Sequence, residues 1–128
     1  SAVPFVSIQS SNRAIFWRSG YEELPVVANK YPDKKVVMQG VYDHPYIYFL
    51  FYNGYDPNKF RDEVEYYPTT SDGFKYVKSF GRYRFIHALA DEKEQEGVLY
   101  FDNQNFHEGD NLIQLPNGDP IFKYYFGR

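Results

Sequence analysis

The side chains that most often perform chemistry in proteins are few in this 128-residue chain and poorly spaced for a common site. Its three histidines, His44, His87 and His107, form neither an i, i+4 pair nor an HExxH motif. Because the chain has no cysteine, disulfides, thiolate zinc sites and thiol nucleophiles are excluded. We therefore predict no metal site, and we interpret each histidine as a surface or boundary residue.

Nucleophile and phosphate-binding motifs are also missing from the sequence. There is no GxSxG, no SxxK and no glycine-rich phosphate loop, since the nine glycines are scattered singly. The acidic pairs Glu22/Glu23, Asp62/Glu63 and Asp91/Glu92 fall at predicted helix or turn positions, where solvation explains them. The sequence thus predicts no catalytic residue and no cofactor, although a small hydrolase stays open as an alternative.

The aromatic content is the unusual feature, with 14 tyrosines and 12 phenylalanines. Two interpretations compete. Buried Tyr and Phe can build a core, whereas exposed Tyr and Trp can form a platform that stacks on sugar rings or contacts a partner. The candidates for such a platform lie at the ends of predicted elements: Trp17, Tyr42, Tyr55, Tyr66 and Tyr67.

Size and charge restrict the classes of partner. A chain of this length fits one domain, which we assign to residues 1–128 with a lead-in segment at residues 1–18. The net charge of −3 and the absence of any Lys/Arg run longer than two residues argue against a nucleic-acid partner. The longest apolar run has seven residues, Tyr46 to Tyr52, whereas a membrane helix needs about 20. Because Ser1 is an implausible natural start, we expect the chain to be part of a longer protein.

The elements that must position the aromatic residues follow from pattern. Tyr46 to Tyr52 lacks polar alternation and begins after Pro45, which favours a central strand covered on both faces. Asp56-Pro57 then has the form of a helix N-cap followed by proline at the first helical position, which predicts a helix over 57–67.

A first helix is predicted near residues 21–31. Ser19 and Glu22 have capping-box spacing, and Leu24, Val27, Ala28 and Tyr31 follow at helical spacing, while Pro25 favours a start at Glu22 or Glu23. Further strands are predicted at 35–38, in two pieces around Gly81 within 74–87, and at 98–101.

The end of the chain is predicted to be a β-hairpin. Asn117-Gly118, which favours a type I′ turn, separates two apolar segments, and the flanking Pro116 and Pro120 place this hairpin at a sheet edge. Together these elements predict an α/β (or α+β) fold in two or three layers, with a mixed sheet of five to six strands and two main helices.

The segment around residue 50 also carries a family resemblance. His44-Pro-Tyr-Ile-Tyr48, Leu50-Phe-Tyr52 and Tyr55-Asp-Pro57 resemble the signature of the C-terminal soluble part of bacterial membrane glycosyltransferases similar to dolichyl-phosphate-mannose-protein mannosyltransferases. Residues 80–85 and the closing hairpin match this family more loosely. The resemblance covers roughly residues 20 to 126.

In such enzymes the catalytic acids lie in the membrane part, and the sugar donor is linked to a polyprenyl phosphate. The resemblance therefore implies a non-catalytic, extracytoplasmic accessory domain, tethered to the cell membrane through the rest of its polypeptide. Such a domain is expected to position the acceptor or the lipid-linked donor, or to contact a partner protein. Its expected partners are that membrane-embedded part and a glycan or lipid-linked sugar. The alternative is a free-standing carbohydrate-binding or protein-interaction module.

Overall fold

A seven-stranded mixed sheet organises residues 20 to 128, the part of the chain that the computed structural model describes. The strands are β1 (Val36–Gln39), β2 (Glu65–Tyr66), β3 (Val77–Phe80), β4 (Tyr83–Ile86), β5 (Leu99–Asp102), β6 (Asn111–Gln114) and β7 (Pro120–Phe126). The helices are α1 (Glu23–Asn29), α2 (Tyr46–Tyr52) and α3 (Pro57–Glu63), and short 3₁₀ turns span Val41–Asp43 and Leu89–Asp91. The predicted α/β class and mixed sheet are confirmed, with seven strands instead of five or six and three helices instead of two.

The centre of the sheet is parallel and its flanks are antiparallel. The spatial order is β2-β3-β4-β1-β5-β7-β6, and β1 runs parallel to both β4 and β5. The other pairs are antiparallel. All four residues of β1 are buried, as expected for the middle strand of a sheet covered on both faces.

The two faces of the sheet are covered differently. On one face α1 and α2 pack their buried residues, including Leu24 and Phe49, against inward side chains such as Phe85 and Phe101. On the other face the covering layer is the segment between β4 and β5. Its Leu89 and Val98 pack with a smaller buried cluster, which contains Val37, Ile86 and Tyr100.

The run Tyr46–Tyr52 forms helix α2, so its prediction as a central strand is wrong. A seven-residue apolar run fits a helix as well as a strand by pattern alone. Two residues with positive φ, Gly40 (119°) and His44 (51°), turn the chain away from the sheet after β1, and Pro45 then provides the N-cap. Tyr48 and Phe49 face the core, whereas Phe51 is 70% exposed. The central position of the sheet is filled by β1 instead.

The other helices follow the sequence signals more closely. Helix α1 begins at Glu23, which places Pro25 in its first turn, where a missing amide hydrogen costs little. Helix α3 has the predicted N-cap, since the Asp56 carboxylate accepts a hydrogen bond from the Asn58 amide at 2.9 Å. It ends at Glu63 instead of 67, because Glu65 and Tyr66 extend and pair with β3 at the sheet edge.

The predicted C-terminal hairpin is confirmed, and its outer strand β6 is an edge strand in the described sheet. Its turn is not type I′, because Gly118 has a positive φ (94°) but Asn117 does not. The Gly118 amide donates to the Leu115 carbonyl at 2.8 Å, and the Leu115 amide donates to the Asp119 carbonyl at 2.8 Å. The loop therefore has three residues, and Pro116 fixes its first position.

Candidate functional site

The carboxyl ends of β1 and β4 form a topological switch point. These adjacent strands are parallel, and the chain leaves them toward opposite faces of the sheet. After β1 it enters α2 on the helical face, where Phe49 packs on Phe85 at a ring separation of 6.1 Å. After β4 it crosses to the other face through Leu89. Open α/β sheets commonly bind ligands in the crevice that such a divergence creates.

A polar network centred on two buried side chains lies at the carboxyl ends of β1 and β5. The Gln39 amide oxygen accepts a hydrogen bond from the Leu89 amide at 2.6 Å, and its nitrogen donates to the Asn103 side-chain oxygen at 2.6 Å and to an Asp102 carboxylate oxygen at 3.4 Å. That carboxylate oxygen also accepts from the Gln104 amide at 2.9 Å. Gln39 and Asp102 are 7% and 6% exposed. Their polar groups thus tie the ends of β1 and β5 to the loop after β4.

Five aromatic and imidazole rings contact one another near the carboxyl ends of β1 and β4: Tyr42, His44, Tyr67, Tyr76 and His87. We call them the aromatic surface. Tyr42 follows β1 and contacts His87, which follows β4, at a ring separation of 5.1 Å. Tyr76 lies edge-on to Tyr42 at 5.0 Å and stacks on His44 at 5.2 Å. Tyr67 also contacts His87, at a ring separation of 4.8 Å.

Hydrogen bonds hold the less exposed members of the aromatic surface in place. The Tyr67 hydroxyl donates to the Phe85 carbonyl at 2.6 Å, and the Tyr67 amide donates to the Tyr76 carbonyl at 2.9 Å. Burial raises the pKa of Tyr67, and Glu92 raises it further against the opposing effect of Arg84. Tyr42, by contrast, is 64% exposed. Hydrogen bonds therefore fix Tyr67 within the aromatic surface, whereas the ring of Tyr42 at its centre is accessible to solvent.

The rim of the aromatic surface carries further aromatic rings and two cations. Tyr46 contacts His44 at a ring separation of 6.2 Å, and burial followed by the proximity of Tyr66 raises its pKa. Phe74 is 55% exposed and lies 6.4 Å from Tyr76. Lys75 and Lys78 lie over the rings of Tyr66 and Tyr67 at 5.3 and 5.9 Å.

The structure brings together some of the aromatic residues singled out by sequence. Tyr42 and Tyr67 belong to the aromatic surface, and Tyr66 lies at its rim. Tyr55 lies elsewhere, packing edge-on to Phe80 at 5.2 Å. Trp17 falls outside the described residues, as does the lead-in segment at 1–18.

His44, Tyr76 and His87 are members of the aromatic surface that sequence reasoning did not propose as contacts. His87 is the last residue of a predicted strand, and His44 lies in the connection that leaves another. A position after a strand becomes informative only when that strand is known to be parallel to its neighbour, because the two carboxyl ends then meet. Pattern alone does not supply the pairing of β1 with β4.

Other kinds of site find little support within residues 20 to 128. No group of three or more His, Asp or Glu side chains in this range is arranged to hold a metal ion. In the same range, no helix combines the length and apolar character needed to span a membrane.

Comparisons with known proteins identify no relative, since the chain matches no family model, no curated protein and no solved structure. The resemblance to membrane glycosyltransferases thus stays a prediction.

Proposed function

We propose that this chain is a sugar-contacting accessory domain, and that the aromatic surface is its contact site. A sugar ring presents an apolar face of C–H groups bordered by hydroxyls. Tyrosine and histidine match it with a flat apolar ring and a polar atom at the ring edge. The observation that carries the proposal is Tyr42, which is 64% exposed at a topological switch point and is held by His87 and Tyr76.

The parent protein in this proposal is a bacterial membrane glycosyltransferase that uses a polyprenyl-phosphate-linked sugar. Support comes from the sequence resemblance centred on residues 44–57. In that setting the domain lies outside the cytoplasm, tethered to the membrane through its own polypeptide, and positions the acceptor glycan or the sugar of the donor. Catalysis belongs to the membrane part, so the domain alone is expected to show no sugar transfer from a lipid-linked donor.

Sugar binding is tested by titrating the domain with manno-oligosaccharides, and with glucose and N-acetylglucosamine oligomers in parallel, while following its side-chain aromatic NMR signals. We expect saturable shifts at Tyr42, His87 and Tyr76. Tyr42→Ala should abolish the shifts at His87 and Tyr76, because the accessible ring is removed while Tyr67 keeps its hydrogen bonds to Phe85 and Tyr76.

Tyr52→Ala is the matched control for this titration. Tyr52 is 53% exposed, comparable to Tyr42, but lies at the far end of α2 beside Asn53, whose side chain bonds the Tyr83 hydroxyl at the amino end of β4. Unchanged sugar binding in Tyr52→Ala and lost binding in Tyr42→Ala supports the aromatic surface. Equal effects of the two substitutions, or shifts scattered over the domain, refute it.

A free-standing carbohydrate-binding module requires the same aromatic surface, so sugar binding alone does not separate it from the accessory domain. The reading frame that encodes the chain does separate them. Several apolar segments of about 20 residues beside this domain support the membrane enzyme. A frame with a secretory signal and no such segments supports the free module.

A further inference from the structure

A cationic groove lies at the opposite edge of the sheet, where β1, β4 and β5 begin. Its volume is about 280 Å³, and its polar lining comes from Lys35, Ser79, Arg82, Arg84 and Gln95. Three of these residues are cationic and none is acidic, although the chain as a whole has a net charge of −3. We call it the basic groove.

The three cationic side chains of the basic groove differ in their hydrogen-bond and ion-pair partners. Arg82 donates to the carbonyl oxygens of Ala28, Tyr31 and Lys34 at 3.0, 3.0 and 2.7 Å. These acceptors are neutral, so the charge of the guanidinium group is not compensated by a carboxylate there. Arg84 lies against the Glu92 carboxylate as an ion pair. Lys35 is exposed, and within the described residues its ammonium group has no ion-pair partner.

The surroundings of the basic groove carry charges of both signs, and a Glu63 carboxylate oxygen lies 3.5 Å from the position that a Cβ would take at Gly81. Lys34 extends over the loop before β5, where its ammonium nitrogen lies 4.0 Å from the position that a Cβ would take at Gly97. Of the acidic residues in the 91–96 loop, Glu92 accompanies Arg84, and Glu94 accepts a hydrogen bond from the Arg128 amide at 2.8 Å. Lys35, the guanidinium group of Arg82 with the donors that it keeps beyond its three carbonyl bonds, and the Ser79 hydroxyl thus line a space large enough for a small oxyanion.

We propose that the basic groove binds a phosphate group, as a phosphate monoester or a diphosphate. Phosphate oxygens accept hydrogen bonds from the donors present, and their charge is opposite to that of the groove. The phosphate can belong to a soluble molecule or to a lipid head group, since both present the same oxygens. The groove lies where the strands begin and shares no lining residue with the aromatic surface, although its Arg84 also acts on the pKa of Tyr67. The inference therefore does not depend on sugar binding.

The test titrates the domain with inorganic phosphate and with inorganic diphosphate at constant ionic strength, following backbone amide NMR signals. We expect saturable shifts confined to the residues around Lys35, Gly81 and Val98. Lys35→Glu should weaken binding at least about tenfold, because it removes a charge-assisted hydrogen bond and adds repulsion. Since Lys35 is exposed at the end of a strand, the substitution should leave the fold intact.

Lys30→Glu makes the same change of charge outside the basic groove, at an exposed lysine beside β6. It should change phosphate affinity less than about twofold, as a screened long-range charge does. Equal weakening by both substitutions, or shifts that do not saturate, would overturn the proposal, because net charge alone would then explain the attraction.

Vesicles with and without phosphatidic acid distinguish the two sources of the phosphate. Binding of soluble phosphate that Lys35→Glu removes supports a soluble ligand. Binding only to the phosphatidic acid vesicles, again removed by Lys35→Glu but not by Lys30→Glu, supports a lipid head group. Absence of binding in both arms refutes the site.

Discussion

The two edges of the sheet use their polar and aromatic residues in opposite ways. The carboxyl edge carries the polar network and the aromatic surface, whose central ring, Tyr42, is largely exposed. At the amino edge Arg82 is committed to three carbonyl groups at the end of α1, so the same residue that lines the basic groove also anchors a helix. We infer that different residues provide stability and ligand recognition at the carboxyl edge, whereas Arg82 contributes to both at the amino edge.

Removal of Gln39 is expected to have the largest effect, because it breaks the polar network at the carboxyl edge. Gln39→Leu keeps the size of the side chain but leaves the part-buried Leu89 amide and Asn103 oxygen and the buried Asp102 oxygen without that partner. Buried polar groups left unpaired cost about 1 to 3 kcal/mol each, so we expect a loss near 3 kcal/mol in the free energy of unfolding. Urea denaturation measures it.

Gln104→Leu is the control for this substitution, because its side chain is exposed and its contribution to the network is its backbone amide. It should change the free energy of unfolding by less than about 0.5 kcal/mol. If Gln39→Leu and Gln104→Leu have the same free energy of unfolding, the network does not stabilise this edge of the sheet.

Arg82→Ala tests the combined roles at the amino edge. One carbonyl group in the last turn of α1 and two after it lose their donor, and we expect about 2 kcal/mol of destabilisation, since water can replace part of the lost bonding at this partly exposed site. Arg82→Lys keeps the charge but cannot reach three acceptors as a planar fork does. Relative to Arg82→Ala, Arg82→Lys should restore more of the phosphate affinity than of the free energy of unfolding. Full recovery of both would mean that the fork geometry is unimportant.

The turn between β3 and β4 gives a third test, smaller in size. Gly81 has φ of +54°, and a Cβ there would lie 2.8 Å from the Tyr55 hydroxyl oxygen. Gly81→Ala should cost between about 1 and 2 kcal/mol from backbone strain, plus the displacement of Tyr55. Gly54→Ala is a matched control, because Gly54 has nearly the same φ (+57°) and open space around its Cβ position.

The difference between these two glycine variants isolates the contact with Tyr55. Tyr55→Phe removes the hydroxyl, so in that background Gly81→Ala should cost no more than Gly54→Ala. Thermal unfolding of the three single variants and of the two double variants that combine Tyr55→Phe with either alanine substitution provides the comparison. A persistent difference in the phenylalanine background would mean that the hydroxyl contact is not the cause.

The elements at both edges were predictable from sequence to different degrees. The Asp56-Pro57 cap, the pieces of strand around Gly81 and the C-terminal hairpin carry local signals that need no knowledge of the rest of the fold. The segment Tyr46–Tyr52 carries no such local signal, because seven apolar residues fit a helix or a strand. The central position of the sheet is occupied by Val36–Gln39, and Tyr46–Tyr52 packs on the sheet as a helix.

The candidate site was predictable only in part for the same reason. The positions of aromatic residues at element ends indicated Tyr42 and Tyr67. Which other rings they contact depends on the pairing of strands that are distant in sequence. His87 joins Tyr42 because β4 lies parallel beside β1, and Tyr76 joins them because β3 runs antiparallel to β4. Lys35 and Arg84 likewise meet only when the beginnings of these strands are side by side.

The alkaline pH dependence of stability distinguishes Tyr55 from the exposed tyrosines. Burial, with the hydrogen bond to Glu63, raises its pKa from 10.0 to about 12 in the folded state. The folded protein therefore holds this proton more tightly than the unfolded chain. The resulting stability is fully present below pH 10.0 and is lost as the pH rises toward about 12.

Urea titrations across this pH range should show a steeper decline for the wild type than for Tyr55→Phe. Tyr46, Tyr67 and Tyr125 also have raised pKa values, so the comparison of the two proteins, and not the decline itself, reports on Tyr55. Parallel declines would indicate that Tyr55 titrates alike in the folded and unfolded states.

Tyr42→Ala should have the smallest effect on stability and therefore gives the sharpest test of the difference between the edges. The Tyr42 side chain is largely exposed and contacts two rings, of which His87 is itself held by Tyr67. We expect a change of less than about 0.5 kcal/mol in the free energy of unfolding together with the loss of sugar binding. If Tyr42→Ala instead destabilises the domain as much as Arg82→Ala does, then the carboxyl edge is also structural, and an exposed ring at a switch point no longer indicates a ligand.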